Sequence, residues 1–280
     1  MTIQKSYNIP IDTVNDNPFY LDYVAGHIDR YFSHKKGDIE ASFIDRKLSF
    51  SRRPDVIEAI IEYNTSIEGS LNSIKSAAAL AREDCFCVIT GQQVGFMGGP
   101  AYTLYKIITA IQLAESYEKR LGCRCVPVFW LASEDHDFEE INHAYYLGEE
   151  GKSQKKDFQW AKKGRSIFDL PTSKNILEAT TEFFQELYYL PYQQFSEEVF
   201  TPCADLFSKS LSIAFSRLFS EYGLVIIEPQ VLQPFFPDFF QVAINKRENI
   251  KNSLTRVAFE LKKDNYSVPL DPKQAGSLFH

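Results

Sequence analysis

Two short clusters in this chain hold more polar chemistry than a packing motif needs. The first is Thr90-Gly91-Gln92-Gln93, followed within a few residues by Gly95, Gly98 and Gly99. Glycines let backbone approach a ligand closely, and N–H groups at the start of a following helix favour an anion, phosphate or carboxylate. Gln92 and Gln93 add amide donors and acceptors at the same place. No Gly-Lys-Ser/Thr follows, so this is neither a P-loop nor the dinucleotide fingerprint. A tight strand-to-helix turn would need the glycines too, but not the paired glutamines. The second cluster is Ser133-Glu134-Asp135-His136-Asp137, with Glu139, Glu140, Asn142 and His143 behind it. Acids around an imidazole can bind a divalent metal, hold a cationic amine or act as a general base. An acidic first helical turn accounts for Glu139 and Glu140 through the macrodipole. It does not account for His136 directly after an apolar run.

The elements around these clusters explain their positions. Cys85-Phe86-Cys87-Val88-Ile89 is a short apolar run, β-branched at its end, that stops at Thr90. Pro100 sits where a first helical residue would be, since its missing N–H costs nothing there. The predicted helix carries Leu104, Ile107, Ile108, Ile111, Leu113 and Ala114, with Lys106 on its first turns, and Gly122 ends it. Val126-Pro127-Val128-Phe129-Trp130-Leu131-Ala132 is the next strand. Two strands joined by a helix predict a βαβ unit, which binds ligands at the carboxyl ends of its strands. Both clusters fall at those ends.

Upstream, Asn17-Pro18 predicts a helix through Tyr20, Val24 and Ile28, and Pro54 opens a longer one through Ile57, Ile60, Ile67, Leu71, Ile74 and Ala78. Both are expected to pack on the outside of the sheet. Downstream, residues 141–160 with the turn Gly148-Glu149-Glu150-Gly151 predict a hairpin-like insertion. Helices are expected from near Ser173 and from near Thr201-Pro202. Leu224-Val225-Ile226-Ile227 is a third buried strand, and a further helix is expected from Pro237 to Lys262. The expected fold is α/β: a Rossmann-like parallel sheet flanked by helices, with an inserted hairpin-plus-helices subdomain and an incomplete core. Residues 1–142 form the helical entry and first half of that core, 143–221 the insertion, and 222–280 a truncated return to the core.

Composition sets the outer bounds. With 280 residues, 44% hydrophobic and 24% charged, the chain can bury a full core. A net charge of −7 argues against nucleic acid or anionic lipid as a partner. The basic run Lys152, Lys155, Lys156, Lys162, Lys163 and Arg165 reads as a solvated loop. The amino terminus lacks the apolar core of a secretory signal, and no stretch is apolar long enough to span a bilayer. Five cysteines, an odd number, fit reduced thiols in a cytoplasmic protein. Cys85/Cys87 and Cys123/Cys125 have one residue between them, unlike the two to four usual for structural zinc. They read as small hydrophobes on interior strands, and no metal ligand is assigned.

The ordered set Thr90-Gly91-Gln92-Gln93-Val94-Gly95-Phe96, Gly99-Pro100-Ala101-Tyr102-Thr103 with Lys106, Val126-Pro127-Val128-Phe129-Trp130, and Glu134-Asp135-His136-Asp137 with Glu140-Ile141-Asn142 resembles the bacillithiol biosynthesis cysteine-adding enzymes (BshC). The resemblance runs to the last residue, less distinctively through Gly223-Leu224-Val225 and Asn265-Tyr266. It implies a Rossmann-like core with connecting insertions, like those of nucleotidylyltransferases and class I aminoacyl-tRNA synthetases. It also implies ATP-dependent joining of cysteine to glucosaminyl malate, with carboxylate activation and amide formation; the divalent-metal requirement stays open. In that superfamily the first loop usually carries a His-x-Gly-His type sequence, and Gly91-Gln92-Gln93 stands in its place here. On this reading Gln93, Lys106, His136 and Asp137 are the catalytic candidates. Thr90, Gly91, Gln92, Gly95, Gly99, Tyr102, Glu134, Asp135 and Asn142 are the substrate- or nucleotide-binding candidates. The alternative is a module that binds a nucleotide or sugar acid without catalysis.

The resemblance also implies longer relatives that pair through a coiled coil. A coiled coil needs apolar a and d positions sustained over several heptads. The stretches from Pro54 to Arg82 and from Pro237 to Lys262 lack them, the first being interrupted by Gly69. The chain is therefore expected to be monomeric or weakly self-associating. Sedimentation at micromolar concentration checks this; a discrete, concentration-independent dimer would refute it.

Overall fold

The structure, a computed structural model, describes residues 10–35, 37–38, 51–134, 141–148, 150–158 and 166–268. In chain order the helices α1 (Ile11–Val14), α2 (Pro18–Ala25), α3 (Arg53–Ser66) and α4 (Leu71–Ala79) precede strand β1 (Phe86–Gln93). Helix α5 (Tyr102–Leu121) leads to β2 (Cys125–Ala132), then β3 (His143–Leu147) and β4 (Ser153–Asp157). Helices α6 (Lys174–Glu186), α7 (Gln193–Phe200) and α8 (Phe207–Leu218) lead to β5 (Val225–Ile227). After it come α9 (Pro229–Leu232), α10 (Phe236–Asn245) and α11 (Arg247–Lys263). The chain divides into two compact units, Phe50–Phe235 and Met1–Ser49 with Phe236–His280.

The larger unit is built on a parallel sheet in the order β1-β2-β5. Strand β2 is central and buried on both faces, which is why its sequence is a nearly unbroken apolar run. Val126 and Val128 pack with Ile57 and Ile60 of α3 and Ala77 of α4. Phe129 and Leu131 face the other way, against Ile107 and Ile111 of α5 and Leu211 and Phe215 of α8. The pair β3–β4 is an antiparallel hairpin, and it falls with α6 to α8 between β2 and β5 in the chain. The mixed α/β, Rossmann-like fold expected from the sequence is the fold observed. No helix among the described residues is long and apolar enough to cross a membrane.

The outer edge of β5 is closed by a side chain. Asn64 of α3 is buried; its Oδ1 accepts the Ile226 N–H at 3.0 Å, and its Nδ2 donates to the Ile226 carbonyl at 2.9 Å and to the Ile60 carbonyl at 2.8 Å. An amide thus mimics a neighbouring strand at this edge and removes two otherwise unpaired backbone groups.

Several boundaries differ from the sequence reading. Strand β1 continues past Thr90 to Gln93, because the parallel ladder holds to the pair Gln93–Ala132. Helix α5 starts at Tyr102, not at Pro100, although the Pro100 carbonyl already accepts the Thr103 N–H at 2.8 Å. The long helix from Pro54 is two helices. Glu68 takes a left-handed φ of 59°, the Gly69 N–H bonds to the Asn64 carbonyl at 2.8 Å, and Ser70 then caps α4 by accepting the Ser73 N–H. A Cβ on Gly69 would lie 2.4 Å from the Asn64 carbonyl oxygen, so only glycine fits this turn. The helix expected from Thr201-Pro202 begins at Phe207, α7 precedes it unforeseen, and the final long helix is divided into α10 and α11 at Lys246. Helix α2 groups with the carboxyl-terminal helices in the smaller unit. Of the strand cysteines only Cys85 and Cys125 are buried; Cys87 is exposed.

In the smaller unit, Asn17 caps α2 by accepting the Tyr20 N–H, and Gly26 ends it in the left-handed conformation. Tyr266, after α11, donates to Asp22 Oδ2 at 2.6 Å, and its ring meets the Phe19 ring edge-on. Hydrogen bonds from Tyr266 and then His27 hold the Asp22 carboxyl below its ordinary range. Arg30 and Tyr31 both bond to Asp264. Contacts between the two ends of the sequence thus hold this unit together.

Replacing Asn64 with Ala should lower unfolding free energy by about 2–4 kcal/mol, because two buried backbone groups of β5 lose their partners. Urea unfolding measures it; a loss below about 0.5 kcal/mol would mean that water replaces the amide. Burial first, then the neighbouring Cys123, pushes the Cys125 thiol up to about 12, and burial raises Cys85 as well. Both should therefore stay thiols at pH 8, where an unperturbed cysteine is partly thiolate. Iodoacetamide is expected to label exposed Cys87 and Cys203 first, and Cys125 only on unfolding, as peptide mass mapping would show.

Candidate functional site

The parallel register of β1 and β2 sets Gln93 opposite Ala132 and Gly91 opposite Trp130, so both strands finish level. Gly91 permits their approach: a Cβ there would lie 3.0 Å from the Trp130 carbonyl oxygen. Beyond β1 the chain folds back on itself. Met97, Gly98 and Gly99 have φ of 57°, 85° and 78° in succession, and a Cβ on Gly95 would come 2.6 Å from the Gly99 Cα. Left-handed backbone costs a non-glycine residue such as Met97 roughly 1–2 kcal/mol. Packing of the loop offsets that cost: Phe96 is buried against Phe158 and Phe183, with ring centroids at 4.0 and 5.4 Å.

Lys106, one turn into α5, reaches back to this loop. Its ammonium donates to the Gly91 carbonyl and to Gln92 Oε1, both at 2.9 Å, and lies 5.3 Å from the Tyr102 ring centroid. The Gln92 amide nitrogen is 3.4 Å from Gln93 Oε1 and 3.5 Å from the Tyr102 hydroxyl. Gly91, Gln92, Gln93 and Lys106 border an open cavity of about 600 Å³ together with Trp130, Ala132 and Glu134. Among the described residues the acceptors of Lys106 are neutral, and no carboxylate pairs with it. A cation held this way at a strand end can take an anionic ligand without first breaking an ion pair.

On the far side of Gln92 and Gln93 lies a second cavity, a groove of about 630 Å³ between the loop and the β3–β4 hairpin. Phe96, Met97, Phe183 and Leu187 give it apolar walls, and Tyr102, His143, Tyr145 and Tyr146 bring polar tips. The two cavities share the paired glutamines.

The end of β2 is fixed by hydrogen bonds. Ser133 is buried; its carbonyl accepts the Phe168 N–H at 2.9 Å and the Ser166 hydroxyl at 3.2 Å, while its Oγ pairs with the Gln230 side chain. Beside it, after β5, Glu228 is buried, and its Oε1 accepts from Tyr63 and, at 3.3 Å, from Ser212. Burial and the adjacent Glu228 raise the Tyr63 phenol well above its ordinary range, so it remains a donor.

Of the sequence candidates, Gly91, Gln92, Gln93, Lys106 and Glu134 line the first cavity, and Gln92, Gln93, Gly95, Gly99 and Tyr102 the second. Thr90 sits in β1 one residue before them. Asn142 precedes β3, and its Oδ1 is 3.2 Å from His143 Nδ1. Asp135, His136 and Asp137 lie outside the described residues. Sequence reasoning missed Trp130 as a wall, Tyr145 as a groove residue, and the Ser133–Gln230 and Glu228–Tyr63 pairs. The Glu228-Pro229 step directly after an apolar strand was the available signal for the last of these.

The family described as "Bacillithiol biosynthesis BshC, N-terminal Rossmann-like domain" matches residues 6–280. Among curated relatives, a protein of Oceanobacillus iheyensis named "Putative cysteine ligase BshC" is 31% identical over 235 residues, 79% of this chain and 42% of the relative. Proteins of the same name from Bacillus cereus and Bacillus cytotoxicus are each 29% identical over 231 residues, with the same coverage. The chain thus spans 42% of the length of these relatives. It belongs to the bacillithiol biosynthesis BshC family and carries that family's amino-terminal Rossmann-like domain.

Proposed function

We propose that this chain is the substrate-binding part of a cytoplasmic cysteine ligase that joins cysteine to glucosaminyl malate through an activated carboxylate. The observation behind this reading is Lys106, whose ammonium sits at the end of β1 and bonds, among the described residues, to a carbonyl and an amide oxygen. Amide formation from a carboxylate and an amine needs the carboxylate oxygen converted to a leaving group, and ATP supplies that conversion when bound. Lys106 would offset the negative charge that grows on the reacting carboxylate or phosphate oxygen. Gln92 and Gln93, coupled to each other and to Tyr102, would fix the orientation of that group. Glu134, exposed across the same cavity, is suited to hold the incoming amine, with Asp135, His136 and Asp137 following it in sequence as candidates for taking its proton. Cysteine and glucosaminyl malate are the partners of this reading, together with ATP.

In a complete family member, Lys106→Met at the matching position should lower kcat/KM about 10²-fold or more, while Tyr102→Phe should stay within about threefold. Coupled detection of bacillithiol formation measures both. Wild-type turnover in Lys106→Met would remove the assignment. Cysteine-dependent amide formation by this chain alone would exclude a module that only binds.

A further inference from the structure

We propose that Gln230 is a positioning residue: by holding Ser133 at the end of β2, it fixes the point from which Glu134 enters the cavity that Lys106 also borders. This role rests on the functional reading above, in which Glu134 holds the incoming amine. Glu134 itself is exposed and lines that cavity. Its placement therefore depends on the backbone that carries it, and Ser133, the residue before it, is fully buried and tied at each of its polar groups. The Ser133 N–H donates to the Leu131 carbonyl at 2.9 Å, which turns the chain directly after the strand. The Ser133 carbonyl accepts from the Phe168 N–H at 2.9 Å and from the Ser166 hydroxyl at 3.2 Å. The Ser133–Glu134 peptide is planar, so two bonds to its carbonyl also hold its N–H and the Glu134 Cα.

The hydroxyl is the remaining group, and Gln230 meets it with both ends of its amide. Ser133 Oγ lies 3.3 Å from Gln230 Oε1, where it donates, and 3.2 Å from Gln230 Nε2, where it accepts. Gln230 starts from a rigid base. It is the second residue of α9, directly after the buried Pro229, whose ring fixes the backbone at the helix start. The next two residues, Val231 and Leu232, pack against the cluster that holds Val126 and Val128 of β2. The strand and the residue that locks its end thus share one core. Stability alone does not call for this pair. Two apolar side chains of similar shape would fill the same space at nearly equal stability, because a hydroxyl and an amide must both be desolvated before they pair. What the pair adds is direction, since a hydrogen bond weakens steeply when its partners rotate and an apolar contact does not.

Isothermal titration of this chain with glucosaminyl malate, which carries an amine and the acid, and with malate, which carries the acid alone, tests the role. The double variant Ser133→Ala/Gln230→Met removes both partners, so its urea midpoint should stay near that of wild type. It should nevertheless bind glucosaminyl malate about fivefold more weakly and malate within about twofold of wild type. Gln230→Met alone, which leaves the Ser133 hydroxyl unpaired, should give the same loss of affinity with a lower midpoint. Glu134→Gln should weaken glucosaminyl malate about tenfold, and adding Gln230→Met to it should cost nothing more, because both act through one carboxylate. Wild-type affinity in the double variant would show that the pair only satisfies a buried hydroxyl, and overturns the positioning role while leaving Glu134 in place. An equal loss for malate, or a loss that adds to that of Glu134→Gln, overturns it as well. Unchanged affinity in Glu134→Gln, or failure of wild type to bind glucosaminyl malate, overturns the functional reading and the positioning role together.

Discussion

The level ending of β1 and β2 is the constraint on which the candidate site depends. In a parallel pair the register is shared along the whole ladder, so a slip of one residue would move every side chain to the opposite face. Here the register is pinned from both sides of the central strand: Val126 and Val128 are packed under α3 and α4, and Phe129 and Leu131 under α5 and α8. With β2 fixed, Gln93 must stand opposite Ala132, and Gly91 against Trp130. The core thus determines where the polar groups emerge. Lys106 follows from the same geometry, because α5 packs on β1 and β2 and its first turn must pass over the strand ends.

The end of each strand is then stabilised differently. Strand β1 ends in a loop whose shape comes from backbone permissiveness, with two glycines and Met97 in the left-handed region. Strand β2 ends in a side-chain lock, Ser133 with Gln230 and with the 166–168 segment. Strand β5 ends in the buried Glu228, which holds Tyr63 and Ser212 and so ties the sheet to α3 and α8. Its other oxygen, Oε2, is buried without a hydrogen-bond partner among the described residues. These polar links replace apolar packing where the sheet opens toward a ligand.

Much of this was legible in the sequence, for identifiable reasons. The βαβ order, the Gly122 stop, the Ser173 cap and the hairpin all followed from periodicity and end signals, and each is present. The break at Glu68-Gly69-Ser70 was legible too, as a helix-ending glycine followed by a capping serine, but the apolar spacing on either side masked it. Register was not legible, and with it went the true end of β1 at Gln93, since Gly91-Gln92-Gln93 reads as loop by composition. Partners distant in sequence were hidden for the same reason: Asn64 and Ile226, or Tyr63 and Glu228, meet only once the sheet exists.

Separation of charge from shape is the remaining feature of the site. A lysine paired to a carboxylate would have to break that pair to accept an anion, at a cost set by the desolvation of both. Lys106 instead rests on a carbonyl and an amide oxygen, and no carboxylate among the described residues pairs with it. A lysine charge attracts any anion, so on its own it gives affinity with little selectivity. Selectivity would then fall to the groove beyond Gln92 and Gln93, which among the described residues is lined by no lysine, arginine or carboxylate. The paired glutamines couple the two halves: Gln92 Oε1 accepts from Lys106 while its amide nitrogen faces Gln93 and Tyr102. A ligand that engages the lysine therefore disturbs the hydrogen bonds of the groove wall, and one that fills the groove orients the group presented to the lysine.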